Sequence, residues 1–177
     1  FNIEGNVQFD IYGSLEDEEY WNACKKKINL LPDNIKVEYK GLVSHEQVHD
    51  TFRKYDAFIF PTLSENFGHV IAEALMVGCP VIISDQTPWT DVADVEGGWS
   101  IALENSEKYI QAIQEIVDAD KEKEEMFKEN ILKYIEKKMN LKELKEYEFL
   151  LENLNKNCPA EDKDLLNAGY RLTGRTR

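Results

Sequence analysis

Two glutamates, Glu65 and Glu73, are separated by seven residues within "SENFGHVIAEALMVGCPVIISD", Ser64 to Asp85, the most apolar stretch of the chain. On a helical wheel Phe67, Val70, Ile71, Ala74 and Leu75 share one face, and Ala72 with Met76 widen it. Asn66, His69 and Glu73 are left a narrow polar wedge, with Glu65 just ahead of the first turn of a helix predicted from about Phe67 to Val77. Backbone N–H groups near Phe67, Gly68 and His69 could hold phosphate oxygens at that helix start, and Gly68 permits close approach. A carboxylate one turn deeper could accept two hydroxyl hydrogen bonds, as from a ribose. The simpler account, equally open on periodicity alone, has Glu65 favouring the positive helix end and Glu73 meeting solvent.

"HEQVH", His45 to His49, spells the H-E-x-x-H of zinc metalloproteases, which places two histidines on one helical face with a glutamate beside a metal-bound water. Ser44, with Gln47 three residues on, reads as a capping box, so His45 falls in a first turn and the histidines are expected to face water. The one remaining histidine is His69, so a third ligand would have to be a carboxylate that no downstream signature names. "DAD", Asp118 to Asp120, has the form of a metal-binding D-x-D but falls at a helix end, as loop aspartates do. His69 suits a ligand-facing donor or an exposed first-turn side chain, and Trp89 suits a place beside a ligand or over the core edge. Trp21 and Trp99 read as core, and Tyr134 and Tyr147, at helical spacing among aliphatics, as packing residues.

The elements that must position these groups follow from periodicity. Val7, Phe9 and Ile11 alternate with polar residues up to Gly13-Ser14, and Ile35, Val37 and Tyr39 do so up to Gly41. Both are predicted strands. Between them Tyr20, Trp21, Cys24 and Ile28 recur at helical spacing over Glu16 to Leu31, and Ser44 opens a helix that turns Val48 and Phe52 inward. "AFIFP" (Ala57 to Pro61) and "PVIIS" (Pro80 to Ser84) are continuous apolar runs, as expected of parallel strands covered on both faces. With "GGWSIAL" (Gly97 to Leu103) and a helix near Glu107 to Val117, the order is β-α-β-α-β-α-β-β-α, a Rossmann-like doubly wound parallel sheet over residues 1–117. From Asp118 the composition shifts to Lys and Glu with spaced Phe127, Ile131, Ile135, Leu141, Leu144, Leu151 and Leu154, predicting a helical extension over 118–177 whose last stretch, "YRLTGRTR", frays.

Totals exclude several partners. A net charge of −13 disfavours sequence-independent binding to nucleic-acid phosphates or anionic membrane surfaces. No apolar run reaches the roughly 18 residues of a membrane span. The three cysteines, Cys24, Cys79 and Cys158, fit no C-x-x-C spacing, and a reduced, cytoplasmic protein is expected.

"PTLSENFGHVIAEALMVGCPVIISD" resembles the E-x7-E signature of the retaining glycosyltransferases of family 4, which have the GT-B fold. The resemblance runs from about Val7 to Leu103 and includes "FDIYGS", "YKGLVS" and "DAFIFPT". It implies that Glu73 binds the ribose hydroxyls of a nucleotide-sugar donor and that Glu65 approaches the transferred sugar. Backbone of Asn66, Phe67, Gly68 and His69 would line the sugar hydroxyls and diphosphate. Gly41, Leu42 and Val43 would meet the base, and Gly13 with Ser14 would lie beside the nucleotide. The implied reaction moves a sugar from a nucleoside diphosphate to an acceptor hydroxyl with retention, without a metal, in surface polysaccharide or lipopolysaccharide synthesis.

That family's donor domain normally opens one strand earlier, with a Gly-Arg pair and a Lys-Gly pair whose cations neutralise the diphosphate, and these have no match here. An N-terminal acceptor-binding domain has no match either. The resemblance therefore implies the donor half of a larger, membrane-peripheral enzyme, lacking a central strand, with weak donor binding and negligible transfer alone. A split transferase and a non-catalytic interaction module are the alternatives.

Overall fold

A computed structural model describes residues 3–139 and the backbone of residues 169–174. The elements run β1 (Val7–Tyr12), α1 (Glu18–Ile28), β2 (Ile35–Gly41), α2 (His45–Phe52), β3 (Ala57–Phe60), α3 (His69–Met76) and β4 (Val81–Ser84). A 3-10 helix (Thr90–Val95), β5 (Gly98–Ile101), α4 (Ser106–Val117), α5 (Lys121–Lys138) and β6 (Gly169–Gly174) complete them. They build one six-stranded sheet in the order β2-β1-β6-β3-β4-β5. β1 pairs parallel with β2, and β3, β4 and β5 pair parallel in turn. β6 runs antiparallel to both β1 and β3, which makes those two strands parallel to each other.

The continuous apolar runs behave as two-sided strands must. Successive side chains point to opposite faces, so Phe58, Val81 and Ile83 pack into one core with Phe52, Ile71, Leu75, Ile131 and Ile135. Ile59 and Ile82 enter a second core with Val7, Ile101, Ala112 and Val117. Helices α2, α3 and α5 thus cover one face of the sheet and α4 the other, as in a Rossmann-like domain of GT-B type.

Several expectations are corrected. Most of the "YRLTGRTR" stretch is ordered into a strand: Gly169–Gly174 lies in the central slot that the strand order leaves between β1 and β3, and residues 175–177 lie outside the described residues. The composition change at Asp118 does not break the core, because α5 contributes Phe127, Ile131, Tyr134 and Ile135 to the cluster that holds Phe58. The first helix is shorter than Glu16 to Leu31 and has no buried residue, with Tyr20 64% exposed. Asp17 caps it by accepting from the Tyr20 N–H. Trp21 is half-buried at the surface, its ring 5.5 Å from that of Tyr39. Ser44 does precede α2, yet its hydroxyl bonds the Gln47 side chain at 3.1 Å and no backbone N–H, so the capping box is not formed. Asp118 and Asp120 flank the α4–α5 junction, where Asp120 accepts from the Lys123 N–H as an N-cap. Leu141, Leu144, Tyr147, Leu151, Leu154 and Cys158 lie outside the described residues. Among the described residues no helix is long and apolar enough to cross a membrane.

Candidate functional site

Because the five parallel strands point one way, the loops that leave Tyr12, Gly41, Phe60 and Ser84 emerge along one edge of the sheet, where open α/β sheets take ligands. The loop from Pro61 to Gly68 is fixed there at several points. Ser84 donates its hydroxyl to the Thr62 carbonyl at 2.6 Å, and Thr62 donates its own to the Ser64 carbonyl at 2.8 Å. The Glu65 N–H donates to the Gln86 carbonyl at 3.1 Å. Trp89, 3% exposed, donates its indole N–H to the Phe67 carbonyl at 2.5 Å. Of the two places weighed for Trp89, the core is the one observed, and from there its indole holds the loop.

Gly68 sets where the helix begins. Its φ of +75° is a left-handed conformation that a side chain disfavours, and it serves as N-cap, so α3 starts at His69 rather than near Phe67. A Cβ built on Gly68 would lie 2.9 Å from Ile71 Cδ1, 3.1 Å from Glu65 Cγ and 3.2 Å from Trp89 Nε1. The site loop and the indole thus close around a point with no room for a methyl group. The shifted start turns Phe67 out of the predicted apolar face to 39% exposure, with its ring between those of Trp89 and His69. Asn66 and His69 are exposed as the wedge implied, and the Glu65 carboxylate accepts from the Asn66 N–H at 3.0 Å.

Glu73 is the exception within the wedge. It is 5% exposed, so the solvent-facing account of this carboxylate fails. A buried carboxylate needs donors, and His45 supplies a contact: its Nδ1 lies 3.4 Å from Glu73 Oε1. The first histidine of "HEQVH" consequently faces water only in part, its side chain being 31% exposed and lying against that carboxylate. Among the described residues no three His, Cys, Asp or Glu side chains are grouped to hold a metal ion.

The turns after β1 and β2 are tied together. The Gly13 N–H donates to the Gly41 carbonyl at 3.1 Å, and the Tyr39 hydroxyl donates to the Gly13 carbonyl at 2.6 Å. Leu42 is 53% exposed while Val43 is buried, so the Gly41 turn presents backbone and one apolar side chain outward. Beside it Gly13 and Ser14 border a cleft of about 470 Å³ with Tyr12, Trp21, Tyr39 and the Phe60 to Thr62 segment. Glu65 and Glu73 stand outside that cleft, on the continuation of the same loop into α3.

Two polar clusters brace this edge. Asp10, 5% exposed, accepts from Gln8 Nε2 and from the Tyr55 hydroxyl, each at 2.7 Å, while Tyr12 and Tyr55 share a 2.5 Å hydroxyl contact. Burial first, then the Tyr12 and Asp10 hydrogen bonds, push the Tyr55 phenol well above the ordinary tyrosine range. At the far side Lys138 stands 4.9 Å over the Trp89 ring and donates to Asp91 and to the Pro88 carbonyl, and Tyr134 also donates to Asp91. Burial raises the Asp91 carboxyl, but the Lys138 and Tyr134 hydrogen bonds outweigh it and leave the group below its usual value. Sequence reasoning missed His45, Tyr55 and Lys138 as parts of this edge. His45 had a signal, since it lies three and seven residues ahead of the inward Val48 and Phe52.

Comparison with known proteins agrees with the fold and extends it. The profile of the family Glycosyl transferases group 1 matches residues 2–134. EpsF of Bacillus subtilis, named as a glycosyltransferase, is 31% identical over 122 residues, which are 67% of this chain and 28% of EpsF. The chain therefore spans under a third of that relative's length. Two solved structures share the fold at low identity. The C-terminal domain of the glycosyl transferase group 1 protein LpcC from Francisella tularensis has a TM-score of 0.60 at 17% identity, over 72% of this chain and 66% of that one. WaaG, a glycosyltransferase involved in lipopolysaccharide biosynthesis, has a TM-score of 0.56 at 19% identity, over 72% of this chain and 33% of WaaG. With a profile accounting for well over half of its residues, the chain belongs to the group 1 glycosyl transferases.

Proposed function

We propose that this chain is the donor-binding part of a retaining glycosyltransferase of family 4, moving a sugar from a nucleoside-diphosphate sugar to an acceptor hydroxyl. The observation that carries the reading is Glu73, a carboxylate buried to 5% on the fifth residue of α3, behind a helix start whose backbone faces the ligand edge of the sheet. In this reading the ribose hydroxyls donate to Glu73. The Gly41 turn, with Leu42 and Val43, meets the base, and Gly13 with Ser14 lies beside the nucleotide. Glu65 approaches the transferred sugar. The N–H groups at the start of α3 take up charge as the diphosphate leaves, so that electrostatic stabilisation, with no metal, carries much of the rate.

The acceptor and the residues that bind it belong to the remainder of the full-length enzyme. The similarity to WaaG, a glycosyltransferase involved in lipopolysaccharide biosynthesis, favours surface polysaccharide or lipopolysaccharide synthesis as the setting. We place that work in the cytoplasm, at the membrane periphery.

Calorimetric titration of this chain with uridine and guanosine diphosphates and their sugar conjugates tests the reading. Saturable binding that Glu73→Ala abolishes, here and in the full-length enzyme, is the expected result. Unchanged affinity in the variant would remove the ribose role, and no binding by the full-length enzyme would remove the donor site.

A further inference from the structure

We infer that His45 is a positioning residue for the nucleotide's ribose, acting through Glu73; the inference rests on the ribose role proposed for that carboxylate. The inward stripe of α2 reads His45, Val48, Phe52 at i, i+3 and i+7. Val48 and Phe52 are 1% and 0% exposed, so the core locks the rotation of this helix and delivers its first residue to α3. The imidazole arrives with Nδ1 at 3.4 Å from Glu73 Oε1. A carboxylate oxygen only accepts, so the contact requires the proton on Nδ1. A carboxylate has room for about four donors, so a contact on one oxygen from the α2 side is compatible with acceptance from the two vicinal hydroxyls of a ribose. His45 thus fixes the rotamer of Glu73 before the ligand arrives. Such orientation from behind is what a buried acceptor needs in order to discriminate hydroxyl from hydrogen.

The test separates positioning from general structural support. Wild type, His45→Phe and His45→Asn are titrated calorimetrically with uridine and guanosine diphosphates and with their 2′-deoxy counterparts, and urea unfolding is recorded for each protein. Wild type is expected to lose roughly tenfold or more in affinity when the 2′-hydroxyl is removed, the scale of one hydrogen bond to a charged group. His45→Phe should bind the ribonucleotide about as weakly as wild type binds the deoxynucleotide, with little further loss on removing the hydroxyl. His45→Asn, whose amide N–H can stand in for Nδ1–H, should recover most of the discrimination. Ribose discrimination as sharp in His45→Phe as in wild type would overturn the inference, as would His45→Asn behaving like His45→Phe. If wild type binds nucleotides yet does not distinguish ribose from deoxyribose, the ribose role of Glu73 fails and His45 falls with it. If neither wild type nor the full-length enzyme binds any of the four ligands, the donor site itself is refuted.

Discussion

Gly68 and Gly41 offer a matched pair of substitutions. Both hold left-handed backbone, at φ +75° and +76°, and both border the proposed donor site. A Cβ on Gly41 would meet nothing within 4 Å, so Gly41→Ala carries the conformational cost alone. That cost is about 1–2 kcal/mol for a non-glycine residue in this region, reduced by about 0.4–1 kcal/mol because alanine restricts the unfolded chain. The net loss for Gly41→Ala is thus about 1 kcal/mol. Gly68→Ala adds contacts at 2.9, 3.1 and 3.2 Å with Ile71, Glu65 and Trp89. Overpacking of this kind costs about 1–3 kcal/mol, which brings the total to about 2–4 kcal/mol. Domains of this size have about 5–15 kcal/mol in hand, so both variants should fold, and urea unfolding at pH 7 measures the difference. The methyl group would also push on Glu65 and on the indole that holds the Phe67 carbonyl. Nucleoside-diphosphate binding should accordingly fall at least tenfold in Gly68→Ala and much less in Gly41→Ala. Equal stability losses in the two variants, or undiminished nucleotide affinity in Gly68→Ala, would refute the reasoning.

Tyr55→Phe takes the hydroxyl donor from buried Asp10 and should cost about 1–3 kcal/mol at pH 7 in urea unfolding. The Tyr55 phenol is raised in the folded protein, so its contribution is complete below the ordinary tyrosine value near 10 and shrinks as pH rises above it. Wild type should therefore lose stability above about pH 10 more steeply than Tyr55→Phe. Asp91 titrates in the opposite sense. Its folded carboxyl is depressed, so its contribution is present above the ordinary carboxylate value near 4 and disappears as pH falls through the lower folded value. Half exposure limits that contribution to about 1 kcal/mol or less, so Asp91→Asn should trail wild type by that much at pH 7, with the gap narrowing as pH falls below the ordinary carboxylate value near 4.

Local signals carried most of the fold into the sequence. The unbroken "VIIS" of β4 encodes two covered faces, and all four of its residues are buried; the alternation at Val7 to Ile11 encodes a strand but not its faces, since the polar Asp10 is buried while Phe9 and Ile11 are only half-buried. The start of α3 was less legible because it depends on a left-handed Gly68, and the close contacts that demand a glycine there come from Trp89, 21 residues further on. Burial of Glu73 was equally hidden, since it depends on α2 bringing an imidazole alongside. The strand β6 was the least readable element. Tyr170 and Leu172 do alternate with Arg171 and Thr173, but the run is short and its pairing partners lie at the other end of the chain.

That last arrangement governs the order in which the molecule can be completed. Among the described strands, β1 with β2 and β3 with β4 and β5 form two hydrogen-bonded halves that meet only through β6. During synthesis, at about 5–20 residues per second, both halves leave the ribosome well before Gly169 to Gly174 exists. Until then each half has an unpaired inner edge, the kind of surface that invites pairing with a neighbouring chain. The final strand closes the sheet across more than 150 residues of intervening sequence, a separation that slows folding. Nascent copies crowded on one messenger would therefore be most vulnerable to one another in the interval before β6 is made.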